Sequence, residues 1–173
     1  MNRTKRELLM QKLPAATDIL ALVPEPGADG ETATVIHTAG GGTLRLAAAT
    51  DCLVSCLAAR EDKDIRLIRR SAARLLARRR NIVLPILYGC VLAPVMVRPV
   101  QKHGGRLGYI NIAHRPLVAA GGGGTDLALR SGIVLHSLWQ PPTVKKLVHE
   151  GRAVHYKLIV DAQQQLRRVE EFA

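Results

Sequence analysis

The chain has 173 residues, of which 47% are hydrophobic and 23% charged, which is enough apolar material for one folded core and excludes a mainly disordered protein. Lysine and arginine number 25 against 14 acidic residues, and the resulting net charge of +11 predicts a polyanionic partner, either nucleic acid or an acidic membrane surface. Aromatic residues make up only 3%, which argues against binding RNA or single strands through several stacking platforms.

The first part of the chain predicts strands. An apolar run at 18–23 ends in a proline-rich turn at 24–27. Two alternating stretches at 31–38 and 43–47 flank the glycines at 40–42, a pattern typical of a β-hairpin.

Helical spacing follows the hairpin. Thr50 or Asp51 is expected to cap a helix that runs to Ala59. A second helix is predicted over 62–79, because its acidic start and basic end suit the helix dipole. Its apolar face is expected to contain Ile65, Ile68, Ala72, Leu75 and Leu76.

The longest uncharged run, at 81–97, has the minimum length of a membrane span. It is rich in β-branched residues and contains Pro85, Gly89 and Pro94, so we interpret it as two buried strands around a turn at 88–90. A membrane-inserted helix is the alternative.

Further strands are expected at 107–113, 126–129 and 133–136, with a flexible loop at 118–124. Residues 142–172 keep a three-four apolar spacing typical of a helix, which Gly151 could divide into two.

These elements predict an α+β fold with a mainly antiparallel sheet, an arginine-rich helix before the central strands and a long C-terminal helical segment. We expect residues 1–17 to form a polar lead-in with a short helix at 5–12. Residues 18–173 would form a single domain that includes the helical tail at about 142–172.

The arginine-rich helix is the most informative feature. Seven arginines and no acidic residue lie between positions 66 and 80: Arg66, Arg69, Arg70, Arg74, Arg78, Arg79 and Arg80. Four of them, at 66, 70, 74 and 78, would form one row, which we call the arginine row, with roughly 6 Å between members. That spacing is close to the distance between phosphates along a strand, and arginine favours bidentate phosphate contacts. A solvated helix face, or arginines paired with acids elsewhere, is the alternative.

A second basic cluster surrounds Gly104 and Gly105. It comprises Arg98, Lys102, His103, Arg106 and Arg115. Glycine would let the backbone approach a phosphate or enter a narrow groove, whereas an ordinary basic hairpin tip is the alternative.

The sequence shows no enzyme chemistry. The three cysteines do not suit a disulfide scaffold, and the basic start of the chain lacks a signal-peptide core, so we expect a cytoplasmic protein. Cys52 and Cys56 have no second ligand pair, so we expect no metal, and we expect no cofactor and no catalytic residue. His114 and His136 are expected in strands as structural residues, with a histidine-dependent hydrolase or nuclease as the alternative.

The order of motifs resembles the family of the competence transcription factor ComK over roughly residues 18–155. The matching positions are Ser71 with the arginines at 78–80, the strand at 94–99, Gly108-Tyr109-Ile110 with His114, and Ser131-Gly132 with Ser137. Tyr109 stands where the family has tryptophan, and the family's phenylalanine-rich strand is absent.

The resemblance implies an activator, of competence genes for example, that binds double-stranded DNA through the minor groove as an oligomer. Arginine in a narrow A·T-rich minor groove is an established mode of recognition. We therefore expect duplex DNA as the partner, contacted by Arg66, Arg70, Arg74, Arg78, Arg79, Arg80, Arg98, Lys102 and Arg106, and a homo-oligomer without a membrane. An RNA-binding or ribosome-associated protein is the main alternative. Regulation by an adaptor or a protease is left open.

Overall fold

The computed structural model describes residues 3–26, 32–97 and 107–171. Its main sheet has six strands in the order β3-β2-β1-β6-β5-β4, with every described pair antiparallel. These strands are β1 (Ile19–Pro26), β2 (Thr32–Thr38), β3 (Thr43–Leu46), β4 (Leu84–Leu87), β5 (Cys90–Met96) and β6 (Leu107–Asn111). A second antiparallel sheet comprises β7 (Leu117–Gly121), β8 (Gly124–Ala128) and β9 (Val134–Ser137).

Four α-helices complete the described part of the chain: α1 (Arg3–Lys12), α2 (Thr50–Arg60), α3 (Ile65–Leu75) and α4 (Pro141–Glu171). The predicted α+β class with a mainly antiparallel sheet, an arginine-rich helix before the central strands and a long C-terminal helix is confirmed.

The main sheet separates two apolar cores. Residues of a strand alternate between the two faces of its sheet, and in β5 Leu92 belongs to one core while Val91 and Val95 belong to the other. The first core, which we call the α2 side, also contains Leu53 and Leu57 of α2. The second, the α4 side, contains residues of α4 and of the small sheet.

The uncharged run at 81–97 forms β4 and β5, joined by a turn at Tyr88 and Gly89, as predicted. Its strand residues are largely buried, with Val95 1% exposed. None of the helices in the described ranges has the length and hydropathy of a membrane-spanning segment.

Two loop predictions in the sheet regions are wrong. Pro24 and Pro26 belong to β1 and not to a turn, and pairing between β1 and β6 has ended at Leu22, so neither proline interrupts that ladder. Residues 118–124 are not a loop, because β7 pairs with β8 across a two-residue turn in which Gly123 has a φ of +83°. Glycine tolerates that backbone angle, so a run of four glycines can still close a hairpin.

The arginine-rich helix is shorter than predicted. Asp64 caps its start, and it ends at Leu75 because Ala77 adopts a left-handed φ of +49°. The N–H of Arg78 then donates to the carbonyl of Ala73 at 3.0 Å, a helix-terminating bond. Leu75 is 52% exposed and does not belong to the buried face that was expected.

The long C-terminal segment is one helix. Gly151 does not divide it, because a side chain at that position would collide with Ile112, so the glycine allows close packing of α4 on the core. Val144, Leu147, Val148 and Val154 are buried against the protein's own sheet. The first half of the apolar pattern predicted for 142–172 therefore packs inside the molecule.

Candidate nucleic-acid interface

The outer face of α3 presents two unpaired guanidinium groups. Ala72 is buried, whereas Arg70 and Arg74 lie on the opposite side of the helix and are exposed. Being four residues apart, they are separated by one turn, about 6 Å along the axis. Neither makes an ion pair or a side-chain hydrogen bond within the described residues. We call this surface the α3 basic face.

The predicted row of four arginines is interrupted at both ends. Arg66 lies on α3 but pairs with Asp64 at 3.3 Å, although its side chain remains 86% exposed. Arg78 lies beyond the end of α3, where Nη1 donates to Glu150 Oε2 at 2.5 Å. The two side chains of that pair are only 23% and 14% exposed. Arg78 therefore ties the end of α3 to α4, and the row expected from helical spacing does not extend to it.

A cavity of about 310 Å³, which we call the arginine cleft, is lined by Arg69 of α3 and by the segment that follows the helix. Arg79 and Arg80 line it from the segment after α3, and both are exposed with no ion pair in the part of the chain that the structure describes. Arg69 lines it from α3, Asp51 from α2 and Tyr109 from β6.

Asp51 organises one wall of this cleft. Its Oδ1 accepts a hydrogen bond from Arg69 Nη2 at 2.7 Å and another from the Tyr109 hydroxyl at 2.9 Å. Burial and the nearby Asp51 charge raise the pKa of Tyr109 well above its usual value, so its hydroxyl stays a proton donor. For Arg69, burial is the largest single effect and opposes the charged form, but the hydrogen bonds and electrostatic attraction of Asp51 and Tyr109 together outweigh it and raise the pKa of Arg69. Asp51 thus neutralises one arginine and leaves Arg79 and Arg80 as the unpaired cations among the described residues that line the cleft.

Sequence reasoning did not predict the two Asp51 contacts that form this wall. Asp51 was expected as a helix cap, but Ala49 occupies that position and makes no side-chain cap hydrogen bond. The Asp51–Arg69 and Asp51–Tyr109 contacts span 18 and 58 residues. The only sequence signal for them was the resemblance that singled out Tyr109.

The second basic cluster is divided. Arg98, Lys102, His103 and Arg106 lie outside the described residues. Leu107, which begins the next described range, lines the arginine cleft. Arg115 is described and exposed, but it lines a different cavity beside α4.

The histidines and cysteines weighed as alternatives occupy separate places. His114 lies in a 3-10 turn (Ile112–His114) and not in a strand, with Nε2 2.7 Å from the Thr17 carbonyl. His136 lies in β9, as expected, with Nδ1 2.8 Å from Asp126 Oδ1. Among the described residues, no group of three histidine, cysteine or acidic side chains could hold a metal ion. Burial raises the pKa of the Cys90 thiol to about 12, which makes it a poor nucleophile.

The structure brings together only some of the motifs on which the family resemblance rests. The cleft brings Arg79 and Arg80 together with Pro94 and Tyr109. Ser137, by contrast, is buried beside Met96, where its hydroxyl donates to the carbonyl of Met96 at 3.3 Å. Comparison of the chain with protein-family models, with curated proteins and with solved structures found no match.

Proposed function

We propose that this protein is a transcriptional regulator that binds double-stranded DNA, with Arg70, Arg74, Arg79 and Arg80 as its phosphate contacts. One observation carries the proposal. These four arginines are exposed on α3 and on the segment that follows it, and none has an acidic partner within the described ranges.

Charge pairing separates these four arginines from the other three in the segment. Arg66, Arg69 and Arg78 each pair with a carboxylate: Asp64, Asp51 and Glu150. Like charges one helical turn apart repel by a few tenths of a kcal/mol, so the α3 basic face carries a small cost in the free protein. A phosphate backbone would remove that cost and release its own counterions, which favours binding.

An exposed leucine supports contact with the minor groove. Leu67 is 59% exposed and lies on the same side of α3 as Arg70 and Arg74. Minor-groove proteins combine arginines with apolar side chains that wedge between base steps. We therefore propose that the α3 basic face approaches an A·T-rich minor groove, where the negative potential is strongest.

The experiment is a fluorescence-anisotropy titration of labelled A·T-rich and G·C-rich duplexes at one fixed salt concentration. Arg70→Ala/Arg74→Ala should weaken binding of both duplexes by about tenfold or more. The matched control, Arg3→Ala/Arg45→Ala, removes the same net charge from exposed arginines that already have acidic partners. That control should bind nearly as well as the parent protein.

Two results would contradict the proposal. Equal losses for the two double variants would mean that net charge alone, and not this surface, sets the affinity. Displacement of labelled DNA by duplex RNA at lower concentrations than by unlabelled DNA would transfer the proposal to RNA.

A further inference from the structure

We propose that the α4 side of the protein carries a second binding site, separate from the arginine cleft, which takes a nucleotide unit: an aromatic base with its phosphate. The site is a cavity of about 520 Å³ lined by Ile112, Arg115, Arg152, His155, Tyr156 and Ile159. We call it the α4 pocket. Its volume falls in the range of small-molecule sites.

Close packing of α4 on the sheet forms the pocket floor. Gly151 lies so near Ile112 that an added Cβ would come within 2.7 Å of that side chain. The helix therefore approaches the 3-10 turn that carries Ile112, and its side chains between Arg152 and Ile159 line the cavity together with Arg115.

The charged part of the pocket is entirely cationic. Arg115 and Arg152 are exposed and form no ion pair with any described residue. The acidic residues of α4 nearest in sequence are engaged elsewhere, since Glu150 binds Arg78 and Asp161 binds Lys157. Two unpaired guanidinium groups at one cavity are suited to a phosphate, which each can bind through two N–H donors.

The backbone at Arg115 carries an unusual conformation. Its φ of +52° lies in the left-handed region, which a residue with a Cβ rarely adopts. This residue ends the 3-10 turn, and its N–H donates to the Ile112 carbonyl at 3.0 Å, which fixes the backbone from which the Arg115 side chain enters the cavity lining. Here the bond between His114 Nε2 and the Thr17 carbonyl at 2.7 Å fixes the preceding residue.

The remaining lining is suited to a planar base. Tyr156 is 68% exposed and lines the cavity with Ile112 and Ile159, so its ring is accessible to a ligand. His155 is held by the ring of Tyr88, with the ring centroids 5.6 Å apart and the planes tilted by 49°. Bases of any kind stack on aromatic side chains, because every base has a π-face. One such platform is consistent with the low aromatic content of the chain, because a single nucleotide unit needs only one.

The α4 pocket and the arginine cleft lie on different sides of the main sheet. Ile112 belongs to the core on the α4 side, whereas Tyr109 of the cleft belongs to the core on the α2 side. Ligands at the two sites therefore do not compete for the same side chains.

Isothermal titration calorimetry with adenosine monophosphate, uridine monophosphate, adenosine and inorganic phosphate tests the proposal. We expect at least one nucleotide to bind about tenfold or more tightly than either phosphate or adenosine alone, because only the nucleotide uses both parts of the pocket. Arg152→Ala should weaken nucleotide binding about tenfold, and Tyr156→Leu should weaken nucleotide binding but not phosphate binding. The matched control is Arg130→Ala, since Arg130 is exposed on the turn between β8 and β9.

Two sources of the nucleotide unit are distinguished by competition. A ten-residue oligothymidine that displaces the nucleotide at equal nucleotide concentration identifies single-stranded nucleic acid as the ligand, and failure to displace it identifies a free nucleotide.

The proposal is overturned if no nucleotide binds better than phosphate, or if Arg130→Ala weakens binding as much as Arg152→Ala. It is also overturned if Arg70→Ala/Arg74→Ala abolishes nucleotide binding, because the site would then be the DNA surface proposed above.

Discussion

Replacing Arg78 tests whether this arginine stabilises the fold or binds DNA. Arg78→Ala would leave the Glu150 carboxylate, whose side chain is 14% exposed, without its partner at the contact between the end of α3 and α4. A hydrogen bond to a charged group in such a place contributes about 1.5–3 kcal/mol. For a chain of this length, each kcal/mol corresponds to about 2–4 °C in Tm. We therefore expect a loss of about 2 kcal/mol in the free energy of unfolding and a decrease in Tm of about 4–8 °C.

Thermal unfolding followed by circular dichroism measures this loss, with Arg74→Ala as the matched control. Arg74 is exposed and unpaired among the described residues, and alanine is the best helix former, so that variant should unfold within about 2 °C of the parent. The double variant Arg78→Ala/Glu150→Gln should be more stable than Arg78→Ala alone, because it removes the stranded charge.

DNA affinity should show the reverse order. Arg78→Ala should bind duplex DNA like the parent when measured below its Tm, whereas Arg74→Ala should bind more weakly. The reasoning is refuted if Arg78→Ala unfolds at the parent's temperature and loses DNA affinity as Arg74→Ala does, since Arg78 would then continue the arginine row.

Two further predictions concern the sheet and the end of α4. Val95→Asp should unfold the protein, because it places an unpaired carboxylate at a position where the side chain is 1% exposed, while Val95→Ile should stay folded. A well-folded aspartate variant in circular dichroism would contradict the assignment of Val95 to the buried face of β5. Truncation after Val160 should keep the fold, because the buried residues of α4 end at Val154 among the described side chains. The removed sequence has Ala162, Leu166 and Val169 at helical spacing, and from this pattern we expect the full chain to form an oligomer that the truncated chain loses. Light scattering decides the second point, and a full-length protein that is monomeric at high concentration would contradict the expected oligomer.

Local signals predicted much of the fold. The hairpin of β2 and β3 follows from alternation around a glycine run, and the strands β4 and β5 follow from β-branched residues around Gly89. The prediction for 118–124 was wrong because four glycines leave no side-chain pattern, although the backbone pairs in register with β8. Alternation identifies a strand only where side chains differ between its two faces.

The site could be predicted only in part, since its geometry depends on contacts distant in sequence. Helical spacing placed Arg70 and Arg74 together, as the structure does. It also placed Arg78 with them, but a contact 72 residues away, with Glu150, gives Arg78 a different partner. The end of α3 depends on a left-handed Ala77, for which a stretch of good helix formers carries no signal.

The salt dependence of duplex binding tests the central claim most directly. The logarithm of the association constant should fall linearly with the logarithm of salt concentration, with a slope of about 0.9 for each phosphate neutralised. Arg70→Ala/Arg74→Ala should reduce the magnitude of that slope by about two relative to the parent, on A·T-rich and G·C-rich duplexes alike, while Arg3→Ala/Arg45→Ala should leave it unchanged. A slope that Arg70→Ala/Arg74→Ala does not change would place the α3 basic face in solvent and contradict the proposed DNA interface.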